Sequence, residues 1–149
     1  MSSGLRIGGM LLVLTLVGCA STPDYARNLP ASSEIRRLEV TGYCECGKCC
    51  NWKRSWLRLG KPVIASGPSK GKAKDVGITA SGTRAKRGTI AADTTLFPMG
   101  TVLYVPGYGY GRVEDRGGAI KGNKLDLFFD SHQQALDWGR QQVNVRVWR

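Results

Sequence analysis

Two aspartates with the makings of an acid/base pair lie between Arg112 and Phe129, in the stretch R-V-E-D-R-G-G-A-I-K-G-N-K-L-D-L-F-F. Asp115 closes one apolar, strand-like run, and Asp126 sits inside another, between Leu125 and Leu127. Gly117, Gly118 and Gly122, with Lys121 among them, form a connection that lets the backbone fold back tightly. Carboxylates held at strand ends in this way can donate and accept protons. The apolar neighbours of Asp126, which continue to Phe128 and Phe129, should desolvate it. Its pKa is then expected to rise, which favours a protonated acid. An ionised Asp115 would add to that rise, and Lys121 would oppose it.

The chain has eleven carboxylates, few enough to take one at a time. Asp24 lies in a tether-like segment, Glu34 and Glu39 at and on the first strand, and Glu45 within a cysteine loop. Asp75 belongs to a basic insertion, and Asp130 and Asp137 to a short helix and its cap. Asp93, Glu114, Asp115 and Asp126 are left. Neighbours on a strand face opposite sides, so only one of Glu114 and Asp115 can look into a shared site. Asp115 adjoins the glycine turn and is the better candidate. Asp93 precedes the Thr94-Thr95 turn, where bonding to turn backbone accounts for it.

A second group of reactive side chains is the run Cys44-Glu45-Cys46-Gly47-Lys48-Cys49-Cys50. In an oxidising compartment the default is two disulfides linking Cys44 and Cys46 to Cys49 and Cys50, because a Cys49–Cys50 bond would be badly strained. The rival is a structural zinc held by the four thiolates, since C-x-C and C-x-x-C are both chelating spacings. Neither arrangement makes the cluster a catalyst. The only histidine, His132, is distant in sequence and takes no role, so a Cys-His nucleophile pair has little support.

The elements that must position these groups are short. Apolar runs separated by Gly and Pro give candidate strands at 37–43, 90–93, 101–105, 109–114, 125–129 and 143–148. The last alternates cleanly, with Val143, Val145 and Val147 on one face and Asn144 and Arg146 on the other. One short helix is expected after Asp130 or Ser131, with a capping-box spacing to Gln134 and an end at Gly139. Residues 51–78 read as an irregular basic insertion whose tryptophans, Trp52 and Trp56, either stack on sugars or cover the cysteine loop. Six short strands and one helix suggest a mainly β fold, a small closed barrel.

The N-terminus reads as an export signal over residues 1–18. Arg6 is followed by an apolar stretch, Ile7 to Val17, too short to span a bilayer. Leu16-Val17-Gly18-Cys19-Ala20 looks like a bacterial lipobox, with Cys19 as the lipidated residue and 19–36 as a tether ahead of one domain at 37–149. Ala20 after that cysteine resembles the sorting pattern of outer-membrane lipoproteins. These features imply a cell-envelope protein, lipid-anchored at the periplasmic face of the outer membrane. Lys and Arg number 22 against 11 Asp and Glu, a net charge of +11. Such an excess raises nucleic acid as a partner, but export argues against it. An anionic envelope polymer is the functional alternative to a simply solvated basic loop.

The segment from Gly82 to Arg146, with the T-A-S-G-T that begins just before it, resembles the 3D domain, named for three aspartates. That domain is shared by the membrane-bound lytic transglycosylase A family and by stationary-phase survival and resuscitation-factor-like cell-wall proteins. The resemblance rests on T-A-S-G-T at 79–83, A-A-D at 91–93, P-M-G-T at 98–101, Y-V-P-G-Y-G-Y-G at 104–111, E-D-R-G-G-A-I-K-G-N at 114–123 and L-D-L-F-F at 125–129. It implies a double-psi β-barrel that cuts peptidoglycan glycan strands without a required cofactor. Asp126 matches the family's single acid/base, which forms a 1,6-anhydromuramyl end, unlike the two-carboxylate scheme of ordinary glycosidases. Asp115 would steady positive charge at C1 or orient the sugar, and Asp93 would support the site. Thr79, Ser81 and Lys121 are the substrate-binding candidates. This chain is much shorter than the large transglycosylase, so the cysteine loop and basic insertion would have to replace part of that enzyme's groove. A non-catalytic peptidoglycan-binding module is the second expectation, and a metal- or redox-responsive envelope protein the third.

Overall fold

The computed structural model describes residues 22–149. The signal segment and Cys19 lie outside the described residues. Among the described residues no helix is long and apolar enough to cross a membrane.

Among the described residues eight strands and two short α-helices follow in order: β1 (Glu34–Tyr43), α1 (Gly47–Cys50), β2 (Trp52–Arg54), β3 (Pro62–Ile64), β4 (Thr89–Ala92), β5 (Val102–Val105), β6 (Gly109–Asp115), β7 (Lys124–Phe128), α2 (His132–Trp138) and β8 (Gln141–Trp148). Six of the strands close a barrel in the order β1-β7-β4-β6-β5-β8, the last pairing back onto β1. The pairs β1/β7 and β4/β6 are parallel and the other four antiparallel. This mainly β barrel with one short helix between β7 and β8 agrees with the small double-psi barrel expected.

Alternation along each strand builds the core. Leu38, Val40, Ile90, Leu103, Val113, Leu125, Leu127 and Val145 point inward and are essentially inaccessible to water. The alternate residues of β1, β7 and β4, namely Tyr43, Phe128 and Ala91, make a separate small cluster on the outer face. That second cluster is the floor of the site described below.

Two connections depart from expectation. The glycine turn after β6 was expected to fold the chain straight back, but β4 lies between β6 and β7. The turn therefore spans two strand spacings, about 10 Å at ~4.8 Å each. Gly122 enters this crossing with φ 64°, which a β-carbon would strain, and its N–H is tied to Asp93 Oδ2 at 2.9 Å. The basic insertion carries a small hairpin, β2 with β3, rather than being wholly irregular.

Residues 22–33, read from sequence as tether, lie against the barrel. Asp24–Ala26 form a 3-10 turn whose Ala26 is buried. Tyr25 donates its hydroxyl to the carbonyl of Tyr110, and Trp148 Nε1 donates to that of Pro30. The segment is fixed because aromatic side chains reach over it, a pairing across more than eighty residues that local composition does not signal.

Candidate active site

The pairing of β4 assembles the site. Ala91 faces Asp126 on one neighbouring strand and Asp115 on the other, and Asp126 in turn faces Thr41 on β1. Cross-strand partners point to the same face of a sheet. Thr41, Asp126, Ala91 and Asp115 therefore form a row across four strands, on the outside of the barrel. A bulge makes this possible: Val113 pairs with Ile90, but Asp115 rather than Glu114 pairs with Ala91. The extra residue keeps Val113 in the core and re-aims the next side chains. Glu114 is left buried, bonded to Thr89 and Arg112. The small side chain of Ala91 leaves room between the two carboxyls.

Above the row is a cleft of about 320 Å³, lined by Asp115, Asp126, Tyr43, Phe128, Cys50 and Arg116 among others. Asp126 is half-buried in it. Thr41 donates to its Oδ1 at 2.8 Å, and among the described residues no donor meets Oδ2. Burial pushes the Asp126 carboxyl from 3.8 up to about 6; the negative charge of Asp115 adds to this, while the Thr41 hydrogen bond and Arg140 oppose it. The expected rise is thus present, but the opposing cation is Arg140. Lys121 is exposed and does not line the cleft.

Asp115 is held by three donors. Tyr43 gives its hydroxyl to Oδ2 at 3.1 Å, and the N–H groups of Ala80 and Arg116 reach Oδ1 at 3.0 and 2.9 Å. Burial, and then the charge of Asp115, keep the Tyr43 phenol protonated well above its usual range. Tyr43 and Thr41 escaped sequence reasoning. The signal available was the Thr-x-Tyr spacing of residues 41 and 43, which puts both on one face of a strand.

Three expected site residues serve other ends. Asp93 does not line the cleft. Its Oδ1 accepts from the backbone N–H and hydroxyl of Thr95, and its Oδ2 from Gly122. These bonds, Gly122 foremost, pull its pKa down to about 2. It is a turn-holding residue. The hydroxyls of Thr79, Ser81 and Thr83 bond one another at 2.9–3.2 Å. This internal cluster shapes the loop that aims the Ala80 N–H at Asp115, so the loop positions an acid by backbone rather than by its hydroxyls.

The four cysteines of the loop are free thiols, not the two disulfides expected. They do not act as one set either. Cys50 turns away, donating to the carbonyl of Cys44 at 3.1 Å and lining the cleft. Its place beside Cys44, Cys46 and Cys49 is taken by His132, which sequence reasoning left without a role; the four ligand atoms lie within 4.8 Å of one another. Trp52 covers this loop, its indole N–H donating to the carbonyl of Glu45 at 2.7 Å, whereas Trp56 is 89% exposed.

The cell wall-binding protein YocH of Bacillus subtilis is 43% identical over 75 residues, and the putative cell wall shaping protein YabE of the same organism is 40% identical over 75. Each match takes in 48% of this chain but only 26% and 18% of those proteins, so the chain spans about a quarter of the length of one and less than a fifth of the other. Among solved structures, MltA from E. coli aligns over 48% of this chain and 27% of its own, at 25% identity and a TM-score of 0.41. A further MltA structure, with bound chitohexaose, aligns over the same shares at 22% identity and a TM-score of 0.41. The family model described as the 3D domain matches residues 88–149, which run from the start of β4 to the end of β8 and contain both cleft aspartates. The likeness to the 3D domain is therefore carried by the C-terminal part of the chain.

Proposed function

We propose that this protein is a peptidoglycan lytic transglycosylase in which Asp126 performs both proton transfers. The observation that carries the reading is the state of Asp126: a carboxyl raised to about 6 by burial, in an open cleft, with one oxygen held by Thr41. A carboxyl so poised is protonated in useful amount near neutral pH and can return to the ionised form without large cost. The 3D domain and the names of the curated relatives, cell wall-binding and cell wall shaping, support a glycan of the cell wall as substrate.

In the proposed reaction Asp126 gives its proton to the oxygen bridging N-acetylmuramic acid and N-acetylglucosamine. The bond from C1 of the muramic residue to that oxygen breaks, and the charge left at C1 is steadied by Asp115. The muramic 6-hydroxyl then closes onto C1 and returns its proton to Asp126. Products are a 1,6-anhydromuramyl end and a free 4-hydroxyl, and no water is consumed. Tyr43 and the Ala80 N–H hold Asp115 toward the sugar, and neither proton transfer calls for a cofactor. Thr79 and Ser81 act through that loop, and Arg116 lines the cleft. The reading puts the protein in the cell envelope, anchored through lipid on Cys19 at the periplasmic face of the outer membrane, within reach of the wall.

Digestion of purified sacculi tests it. The protein should release anhydromuropeptides, and Asp126→Asn should release none while keeping the wild-type fold by circular dichroism. Ordinary reducing ends in the mass spectra would mean hydrolysis and sink the assignment. A second reading, wall binding without cleavage, is favoured by the name of the 43% identical relative. It expects sacculus pull-down by wild type and Asp126→Asn alike, with no soluble product from either.

A further inference from the structure

The loop after β1 and the start of α2 meet because β1 and β7 run parallel, with Tyr43 paired to Phe128 and the Phe129 N–H bonded to the Tyr43 carbonyl at 2.8 Å. Both strands therefore end side by side. Cys44 follows one directly, and His132 follows the other after a short turn. We propose that Cys44, Cys46, Cys49 and Nδ1 of His132 bind one zinc ion, clamping the cysteine loop to α2 at the edge of the cleft.

The distances fit a tetrahedral cage. With zinc–sulfur bonds of about 2.3 Å and a zinc–nitrogen bond of about 2.0 Å, tetrahedral geometry requires sulfur–sulfur edges of about 3.8 Å and sulfur–nitrogen edges of about 3.5 Å. Cys44 Sγ and Cys49 Sγ lie 3.7 Å apart. His132 Nδ1 lies 3.9, 3.6 and 3.4 Å from the sulfurs of Cys44, Cys46 and Cys49. Three thiolates and one imidazole are a donor set that selects zinc over hard cations, and four protein ligands leave no open position, the mark of a structural site.

The backbone holds this shape without the ion's help. Cys46 caps α1, whose last residue, Cys50, donates its N–H to the Cys46 carbonyl at 2.9 Å. At Gly47 a β-carbon would come within 2.2 Å of the Trp52 carbonyl oxygen, so the tight turn between the second and third cysteines needs glycine. Ser131 caps α2 through the Gln134 N–H and fixes the helix start that carries His132. The C-x-C-x-x-C spacing gives three ligands from a six-residue loop, and the fourth comes from 83 residues further on, counted from Cys49. A metal bridging such distant positions closes a long loop in the unfolded chain and couples binding to folding. The site is independent of whether the cleft cuts glycan.

Metal analysis of protein purified without chelator or reductant should find one zinc per chain. Replacement by Co²⁺ should give visible ligand-field bands of a tetrahedral site with a thiolate charge-transfer band. His132→Ala and Cys46→Ser should each weaken binding by more than the roughly 10–100-fold that even an outer-shell change costs. Cys50→Ser should keep full stoichiometry. Should His132→Ala fail to fold, His132→Cys decides the matter: it should retain metal and shift the Co²⁺ bands toward those of four thiolates. Metal-free protein with two disulfides by mass spectrometry would overturn the proposal. So would a Co²⁺ spectrum unmoved by His132→Cys, or zinc lost from Cys50→Ser but kept in His132→Ala.

Discussion

The carboxyl of Asp126 ties the chemistry to a physical cost. Folding raises its pKa from 3.8 to about 6, so the folded chain binds this proton more tightly than the unfolded one. Its contribution to stability is then fully present below pH 4 and is lost as the pH climbs through 6. Asn at this position cannot ionise. Asp126→Asn should therefore match wild type in thermal melts at pH 4 and be more stable at pH 7.5, by about 2 kcal/mol. Equal melting differences at both values would mean that the carboxyl is not desolvated. The same group governs rate: if protonated Asp126 is the acid, turnover on sacculi should fall about ten-fold per pH unit above 6. A profile flat to pH 8 would assign the proton elsewhere. Asp115 and Asp126 were legible as a pair because each carries its own local signal, a strand end or an apolar flank. Thr41, Tyr43 and His132 were not. Thr41 and Tyr43 reach the pair across 85 and 72 residues, and His132 joins the cysteines across the same parallel pairing of β1 with β7, which leaves no mark on neighbouring residues.

At the level of elements, the bulge in β6 decides which acid enters the cleft, and its surroundings tolerate little change. Gly111, on the same strand, faces the core. A β-carbon there would lie 2.5 Å from Ile90 Cδ1 and 2.9 Å from the Gly88 carbonyl oxygen. Ile90 is fully buried and is the last residue before the register shifts. Gly111→Ala should therefore cost about 1–3 kcal/mol in urea unfolding. It should also lower sacculus turnover beyond what the lost folded fraction explains, because pushing β4 away displaces Ala91 and with it both carboxyls. A variant destabilised yet fully active per folded molecule would show that the bulge does not set the site. The six barrel strands were readable as short apolar runs between Gly and Pro, the last of them by its alternation, and the helix from its cap and its terminal glycine, because these are local patterns. The bulge and the passage of β4 between β6 and β7 were not. A glycine-rich turn looks the same in sequence whether it closes a hairpin or crosses an intervening strand, and only the packing of other strands decides.

The whole molecule adds a field to the site. A net charge of +11 is spread over exposed side chains such as Lys53, Arg54, Arg58, Lys61, Lys70 and Lys72 on the insertion, and over Lys74 and Arg116 at the cleft. Peptidoglycan carries carboxylates on its peptide stems, so these charges should gather the protein onto the wall before any single sugar is engaged. Such attraction is screened with distance, the Debye length falling from about 8 Å at 0.15 M salt to about 3 Å at 1 M. Retention on sacculi should accordingly drop by an order of magnitude or more across that range. Asp126→Asn should give the same salt curve, since the insertion's cations do not depend on that carboxyl. Charge reversal at Lys70 and Lys72, exposed and away from the cleft, should weaken retention at low salt and change little at 1 M. Retention indifferent to salt would mean that the protein is held by sugar contacts in the cleft alone, and that the basic insertion is only a solvated surface.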